Sequence, residues 1–169
     1  FVFALSLFSP SVHGATQEGV DYITLAKPIP NLENTVIKVF RYDCPFCYKY
    51  DRYVIPDVVK ILAKDGIKLT VWHLRTNARY GSQGSQLFAS LITKDSKTGL
   101  GLFDDRASFK KAEFAYYKAY HDGRERWDGG ADAFLKTGLD AAGMTGAEFQ
   151  KLLREPATQA RLKEWEGAC

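Results

Sequence analysis

Cysteine and histidine are scarce in this chain, with three of each among 169 residues: Cys44, Cys47, Cys169, His13, His73 and His121. So few cysteines exclude a small disulfide-stapled scaffold, which needs a dense and even set. A structural zinc site is short of ligands too, because beyond Cys44 and Cys47 the cysteine and histidines stand singly and far apart. No block of like charge exists either: 23 basic and 20 acidic residues are mixed along the chain, for a net charge of +3. Binding to nucleic acid through counterion release uses clustered Lys and Arg, so nucleic acid is set aside as a partner. No apolar run reaches the roughly 20 residues of a bilayer span, and the chain has no internal repeat or low-complexity segment.

What is present is the composition of a folded domain, 46% hydrophobic and 25% charged, long enough for one core with an insertion but not for two independent domains. The opening "FVFALSLFSPSVHGATQEG" is an apolar run from Phe1 to Phe8 that meets Ser9, Pro10 and Ser11 and then turns polar. It reads as the remainder, over 1–14, of a secretory signal peptide, with Gly14/Ala15 as the cleavage point. The mature chain is therefore expected to be exported and soluble.

Periodicity then divides the chain. "YITLAKPIP" suggests an edge strand ended by two prolines. Thr35 to Tyr42, "TVIKVFRY", is a β-branched and aromatic run expected to be a strand buried on both faces. From Cys44 to about Lys64, apolar residues at three- and four-residue steps predict one amphipathic helix bent at Pro56. Gly66 stops it, and Ile67 to Leu74 returns to strand character, giving a βαβ unit with a parallel pair. Beyond Ser82 the pattern is helical: 83–93, 106–120, 131–142, 145–154 and 156–165, separated by glycine-rich breaks. Phe109, Phe114, Tyr116, Tyr117 and Tyr120 read as a packing face, and Trp127 and Trp165 carry no assigned role.

The stretch with chemical content is "FRYDCPFCYKYDRY", which puts Cys44 and Cys47 two residues apart where a strand runs into a helix. Unpaired N–H groups and the positive end of the helix dipole at that point favour a thiolate at Cys44 over the ordinary thiol pKa of about 8.5. Cys47, one turn further in, can close a disulfide with it, and Pro45 fits the first turn without wasting a donor. A structural bridge over so short a ring would constrain the unfolded chain little, so a chemical use is the better reading. Asp43 is expected to cap the helix and also to repel a thiolate, with Arg41, Lys49 and Arg52 as possible offsets. Phe46 carries no charge and is read either as packing or as an apolar contact for unfolded substrate. His73 and His121 are read as structural.

A strand running into C-P-x-C, a kinked helix, a second strand and a long helical stretch resemble the DsbA family of thioredoxin-fold dithiol oxidases. "KVFRYDCPFCYKYD", "KAEFAYYKAYHDGRERW" and "FLKTGLDAAGM" are similar to its DsbL branch, which has Phe in the dipeptide; the likeness covers Gly19 to about Trp165. The resemblance implies an α/β, thioredoxin-like fold with a large helical insertion: a βαβ part over 15–74 and the insertion over 75–169. It makes Cys44 the exposed nucleophile, Cys47 the buried partner, and Pro45 and Phe46 the redox-tuning pair, with Asp43 beside them. It further implies a periplasmic oxidase of newly exported polypeptides, reoxidised by a quinone-linked membrane partner of the DsbB or DsbI type, with an arylsulfate sulfotransferase as preferred substrate. No cofactor beyond the redox disulfide is expected, and a monomer is.

The family completes its fold after the insertion with a cis-proline loop, two strands and a last helix, which nothing here matches. The chain is thus expected to be a fragment, with Cys169 just before the missing loop and the strand Thr35 to Tyr42 left as an unpaired edge. A reductase or isomerase of the same fold, and a non-catalytic peptide- or zinc-binding module, stay open as alternatives.

Overall fold

The structure, a computed structural model, describes residues 16–75 and 78–167. The signal remnant over 1–14, His13 and Cys169 lie outside the described residues. The chain forms two units, a lead-in up to Glu33 and a larger unit from Asn34 onward.

In the lead-in, a single bridge joins Glu18 and Tyr22, and the Asp21 carboxylate accepts the Gln17 N–H at 2.9 Å. The edge strand expected from Tyr22 to Pro30 does not form. Pro28 and Pro30 remove two ladder donors, and Ile23 and Leu25 point to solvent, so neither pairing nor burial holds the segment extended.

The second unit opens with β1 (Thr35–Phe40), α1 (Pro45–Tyr53), α2 (Ile55–Lys64) and β2 (Lys68–His73). The strands pair in parallel from Thr35 opposite Lys68 to Phe40 opposite His73, as the βαβ reading requires. Among the described residues β2 is the one strand beside β1, and Val36 and Val39 stay 40% and 47% exposed. The expectation of burial on both faces is corrected accordingly: the strand's apolar run exceeds what β2 and the helices cover.

The single bent helix is in fact two. Val54 (φ −117°, ψ −48°) breaks the ladder after its N–H reaches the Tyr50 carbonyl at 2.8 Å. Pro56 then falls in the first turn of α2, where its missing N–H is no loss. Gly66, at φ 67°, takes the left-handed turn that ends α2.

The helical part comprises α3 (Gly81–Lys97), α4 (Ser108–Tyr117), a π-helical turn (Lys118–Asp122), α5 (Ala131–Ala142), α6 (Gly146–Leu153) and α7 (Pro156–Glu166). Helix α3 is the core element: Leu87, Phe88, Ala89 and Leu91 are fully buried, and α4, α5, α6 and α7 pack around it. Its Asp95 carboxylate accepts the Ser108 and Phe109 N–H groups at 2.9 and 2.8 Å, so α4 is capped from a neighbouring helix and starts two residues later than the sequence suggests. Thr145 and Glu148 form a capping box on α6.

Phe109, Tyr116 and Tyr117 are fully buried, which makes the aromatic series a packing face. Tyr116 stacks on Phe134 with ring centroids 4.4 Å apart, and Trp127 closes the cluster over both. The Trp165 indole N–H donates to the Val71 carbonyl at 3.1 Å, tying α7 to β2.

Candidate active site around Cys44 and Cys47

Strand β1 ends at Phe40, and the corner Arg41 to Asp43 delivers the chain to α1. Cys44 occupies the N-cap with extended backbone (φ −87°, ψ 115°), and its sulfur accepts the Cys47 N–H at 3.3 Å. The helix is therefore capped by the sulfur of Cys44 and not by the Asp43 carboxylate, which corrects the capping role expected for Asp43. Asp43 instead pairs with Arg41, Nε to Oδ1 at 3.0 Å. That ion pair draws the acidic group back toward the strand end, and leaves the orphan N–H groups of α1 to the sulfur. Lys49 is exposed and Arg52 lies over the Tyr53 ring at 5.3 Å.

Pro45 takes the first turn of α1, and the first turn holds no acidic residue. Cys44 and Cys47 are free thiols, both partly buried. The Cys47 thiol is pushed up to about 12, first by burial, then by its hydrogen bond to Cys44 and by the negative charge of Asp51. Phe46 is 71% exposed, and it lines a pocket of about 240 Å³ with Cys47, Tyr50, Asp51, Lys38 and Ile55.

Beneath the dithiol lies a charge cluster that sequence reading missed. Lys38, on the inward face of β1, reaches Asp51 Oδ1 at 2.6 Å and Glu113 Oε1 at 2.7 Å. The Tyr117 hydroxyl donates to the other Asp51 oxygen at 2.7 Å. Burial alone would depress the Lys38 ammonium, but the two carboxylates outweigh it and hold it above its ordinary value. Burial raises the Glu113 carboxyl, against the pull of Lys38, and Tyr117 is raised by burial and by both acids. One sign was visible in the sequence: a lysine in the middle of an apolar strand, with an aspartate one turn beyond Cys47.

Of the two histidines, His73 lies in the core on β2, its Nδ1 2.8 Å from Ser85 Oγ, and burial followed by the Arg41 charge pushes it down to about 3. His121 lies beside the motif, stacked on Tyr48 with centroids 5.6 Å apart.

No family model matches the chain. It is 54% identical over 156 residues to the thiol:disulfide interchange protein DsbL of Escherichia coli O6:H1, covering 91% of this chain and 70% of that protein. To DsbL of Lelliottia amnigena it is 51% identical over 169 residues, covering 99% of this chain and 76% of the other. The crystal structure of DsbL from Salmonella enterica serovar Typhimurium superposes with a TM-score of 0.86 at 52% identity, over 91% of this chain and 78% of that one. The thioredoxin-like fold with a helical insertion is thereby shown, and the C-P-F-C helix start stands within the matched region. The chain belongs to the DsbL branch of the DsbA family and is a thiol:disulfide oxidoreductase.

Proposed function

We propose that the protein works in the oxidising direction, donating a Cys44–Cys47 disulfide to reduced polypeptides newly exported to the periplasm. The observation that carries this is the asymmetry of the pair: the Cys44 sulfur caps a helix N-terminus, while the Cys47 thiol is pushed up to about 12. A substrate thiolate attacks Cys44, the S–S bond breaks, and Cys47 leaves and takes up a proton. A mixed disulfide between substrate and Cys44 results. Because Cys47 holds its proton, its return attack is slow, and the substrate's second thiolate attacks the mixed disulfide instead. Cys44 then departs as the thiolate that the helix start accommodates. Two electrons pass from the substrate thiols to the pair; one of the two thiol protons ends on Cys47 and the other goes to solvent.

Pro45 and Phe46 set the geometry and apolar character between the thiols, and exposed Phe46 offers unfolded substrate an apolar contact. Asp43, held by Arg41, keeps its charge from competing with the cap. The DsbL likeness, more than any surface feature, supports an arylsulfate sulfotransferase as preferred substrate and a DsbB- or DsbI-type quinone-linked membrane protein as reoxidant.

The test is oxidation of a reduced, unfolded polypeptide by the oxidised intact protein. Disulfide formation in the substrate is expected, with Cys44→Ser inactive and Cys47→Ser trapping the mixed disulfide. Retained activity in Cys44→Ser overturns the assignment, and a redox potential close to that of thioredoxin turns it toward a reductase.

A further inference from the structure

The first turn of α1 closes on Cys44 twice. The Tyr48 N–H donates to the Cys44 carbonyl at 3.2 Å, and the Cys47 N–H donates to the Cys44 sulfur at 3.3 Å. Backbone and sulfur of Cys44 are thus held by consecutive N–H groups of one turn.

That turn is fastened from outside α1 through the Tyr48 side chain. Its hydroxyl donates to Asp122 Oδ2 at 2.9 Å. Its ring stacks on Tyr117 with centroids 5.3 Å apart at 24°, stacks on His121 at 5.6 Å and 16°, and meets Phe114 edge-on at 6.3 Å. The Tyr117 hydroxyl in turn donates to Asp51, one turn further along α1. All of these partners belong to α4 and the turn that ends it. The helix is irregular there: the Gly123 N–H reaches the Lys118 carbonyl at 2.9 Å, which makes Lys118–Asp122 a π turn. Such turns give up regular hydrogen-bond geometry and are frequent at functional sites; this one sets His121 and Asp122 against a single side chain.

We propose that Tyr48 is a positioning residue for the dithiol: anchored to Asp122, it fixes the first turn of α1 and the N–H group that faces the Cys44 sulfur, so that the helical part sets how strongly the pair oxidises. The sulfur carries negative charge only when the pair is reduced, and a rigidly aimed N–H at a helix start favours that charge. The anchor therefore stabilises the reduced protein more than the oxidised one, and its loss makes the protein a weaker oxidant. A bond that served packing alone would stabilise both states equally and leave the redox equilibrium where it was.

This rests on the proposed use of Cys44 and Cys47 as the reacting pair. The test measures the thiol–disulfide equilibrium of the intact protein with glutathione at pH 7, together with thermal unfolding of the oxidised and reduced forms. Tyr48→Phe keeps the ring and removes the hydroxyl, and Asp122→Ala removes the acceptor at an exposed position where folding is not at stake. Each is expected to lower the equilibrium constant for reduction of the protein by roughly threefold or more, the scale of one hydrogen bond. The midpoint of the reduced form should fall further than that of the oxidised form. The double variant should lie close to either single one, because both remove the same bond. Asp122→Asn, which keeps an acceptor, should recover the wild-type constant. Unchanged constants in Tyr48→Phe and Asp122→Ala, with wild-type exchange intact, overturn this inference alone, as do additive effects in the double variant. A wild-type protein that exchanges no disulfide overturns the dithiol reading, and this inference with it.

Discussion

The Tyr117 hydroxyl donates to Asp51 Oδ2 at 2.7 Å, joining α4 to the helix that carries the dithiol. Lys38 holds the other Asp51 oxygen and one oxygen of Glu113, so a strand, the dithiol helix and the helical part meet in one buried polar cluster. Lys38 is the ammonium the two carboxylates share, and Lys110 reaches only the other Glu113 oxygen, at 3.4 Å, so loss of Lys38 strips Asp51 of its cation whatever the cluster's net worth.

Lys38→Met should therefore cost roughly 3–5 kcal/mol, because it leaves buried Asp51 without its cation and Glu113 with only the longer contact to Lys110 at 3.4 Å. Neutralising them as well, in Lys38→Met/Asp51→Asn/Glu113→Gln, should recover much of that loss. Urea unfolding of the two variants measures the difference. If the single and triple variants are equally unstable, the cost lies in packing rather than in unpaired charge.

The thiol of Cys47, at about 12, implies a thiolate fraction of about one in ten thousand at pH 8. In the reduced protein iodoacetamide should accordingly modify Cys44 while Cys47 stays free, as read by peptide mass spectrometry. Equal labelling of both thiols at pH 8 would remove the asymmetry on which the oxidising direction depends.

Buried His73, at about 3, is neutral in the folded protein, whereas the unfolded chain takes up a proton near 6.5. The folded value is depressed, so the contribution to stability is complete above pH 6.5 and is lost as pH falls toward 3. At 1.36 kcal/mol per unit, the span amounts to roughly 5 kcal/mol. His73→Phe, which can rest among Phe40, Phe88 and Tyr42, should lessen the loss of stability between pH 6.5 and 4. Parallel pH–stability curves for the two proteins would sink this account.

Sequence periodicity located the helices well where local signals set their ends. Helix α5 runs over Ala131–Ala142 as expected, between Gly130 and Gly143, and α7 begins at Pro156. It failed where a distant residue decides the matter. The start of α4 is fixed by Asp95 on another helix, which leaves no local pattern. The thiols could be read because helix-start chemistry needs only two residues of spacing. The cluster beneath them could not, since Lys38 stands 13 residues from Asp51 and 75 from Glu113.

Gly138 lies on α5 where a Cβ would press on Leu87 Cδ2 and come within 2.7 Å of Tyr116 Cε2, both fully buried. Gly138→Ala gains up to about 1 kcal/mol of helix propensity, but overpacking a closed core costs roughly 1–3 kcal/mol. A net loss is expected, read as a lower midpoint of thermal unfolding. A stabilised Gly138→Ala would mean that α4 and α5 can move apart more freely than this packing allows.

Phe46 separates substrate contact from chemistry. Its ring is 71% exposed and borders the pocket beside Cys47. Burying a phenylalanine against an unfolded chain is worth at most about 1.5–3 kcal/mol, and partial burial correspondingly less. Phe46→Ser should then slow oxidation of an apolar-rich unfolded polypeptide by roughly three- to tenfold. Exchange with glutathione, too small to use that contact, should change much less. Stopped-flow rates with the two substrates distinguish the outcomes: equal slowing of both would assign Phe46 to tuning the disulfide itself, and no slowing of either would leave its exposed ring without a part in substrate binding.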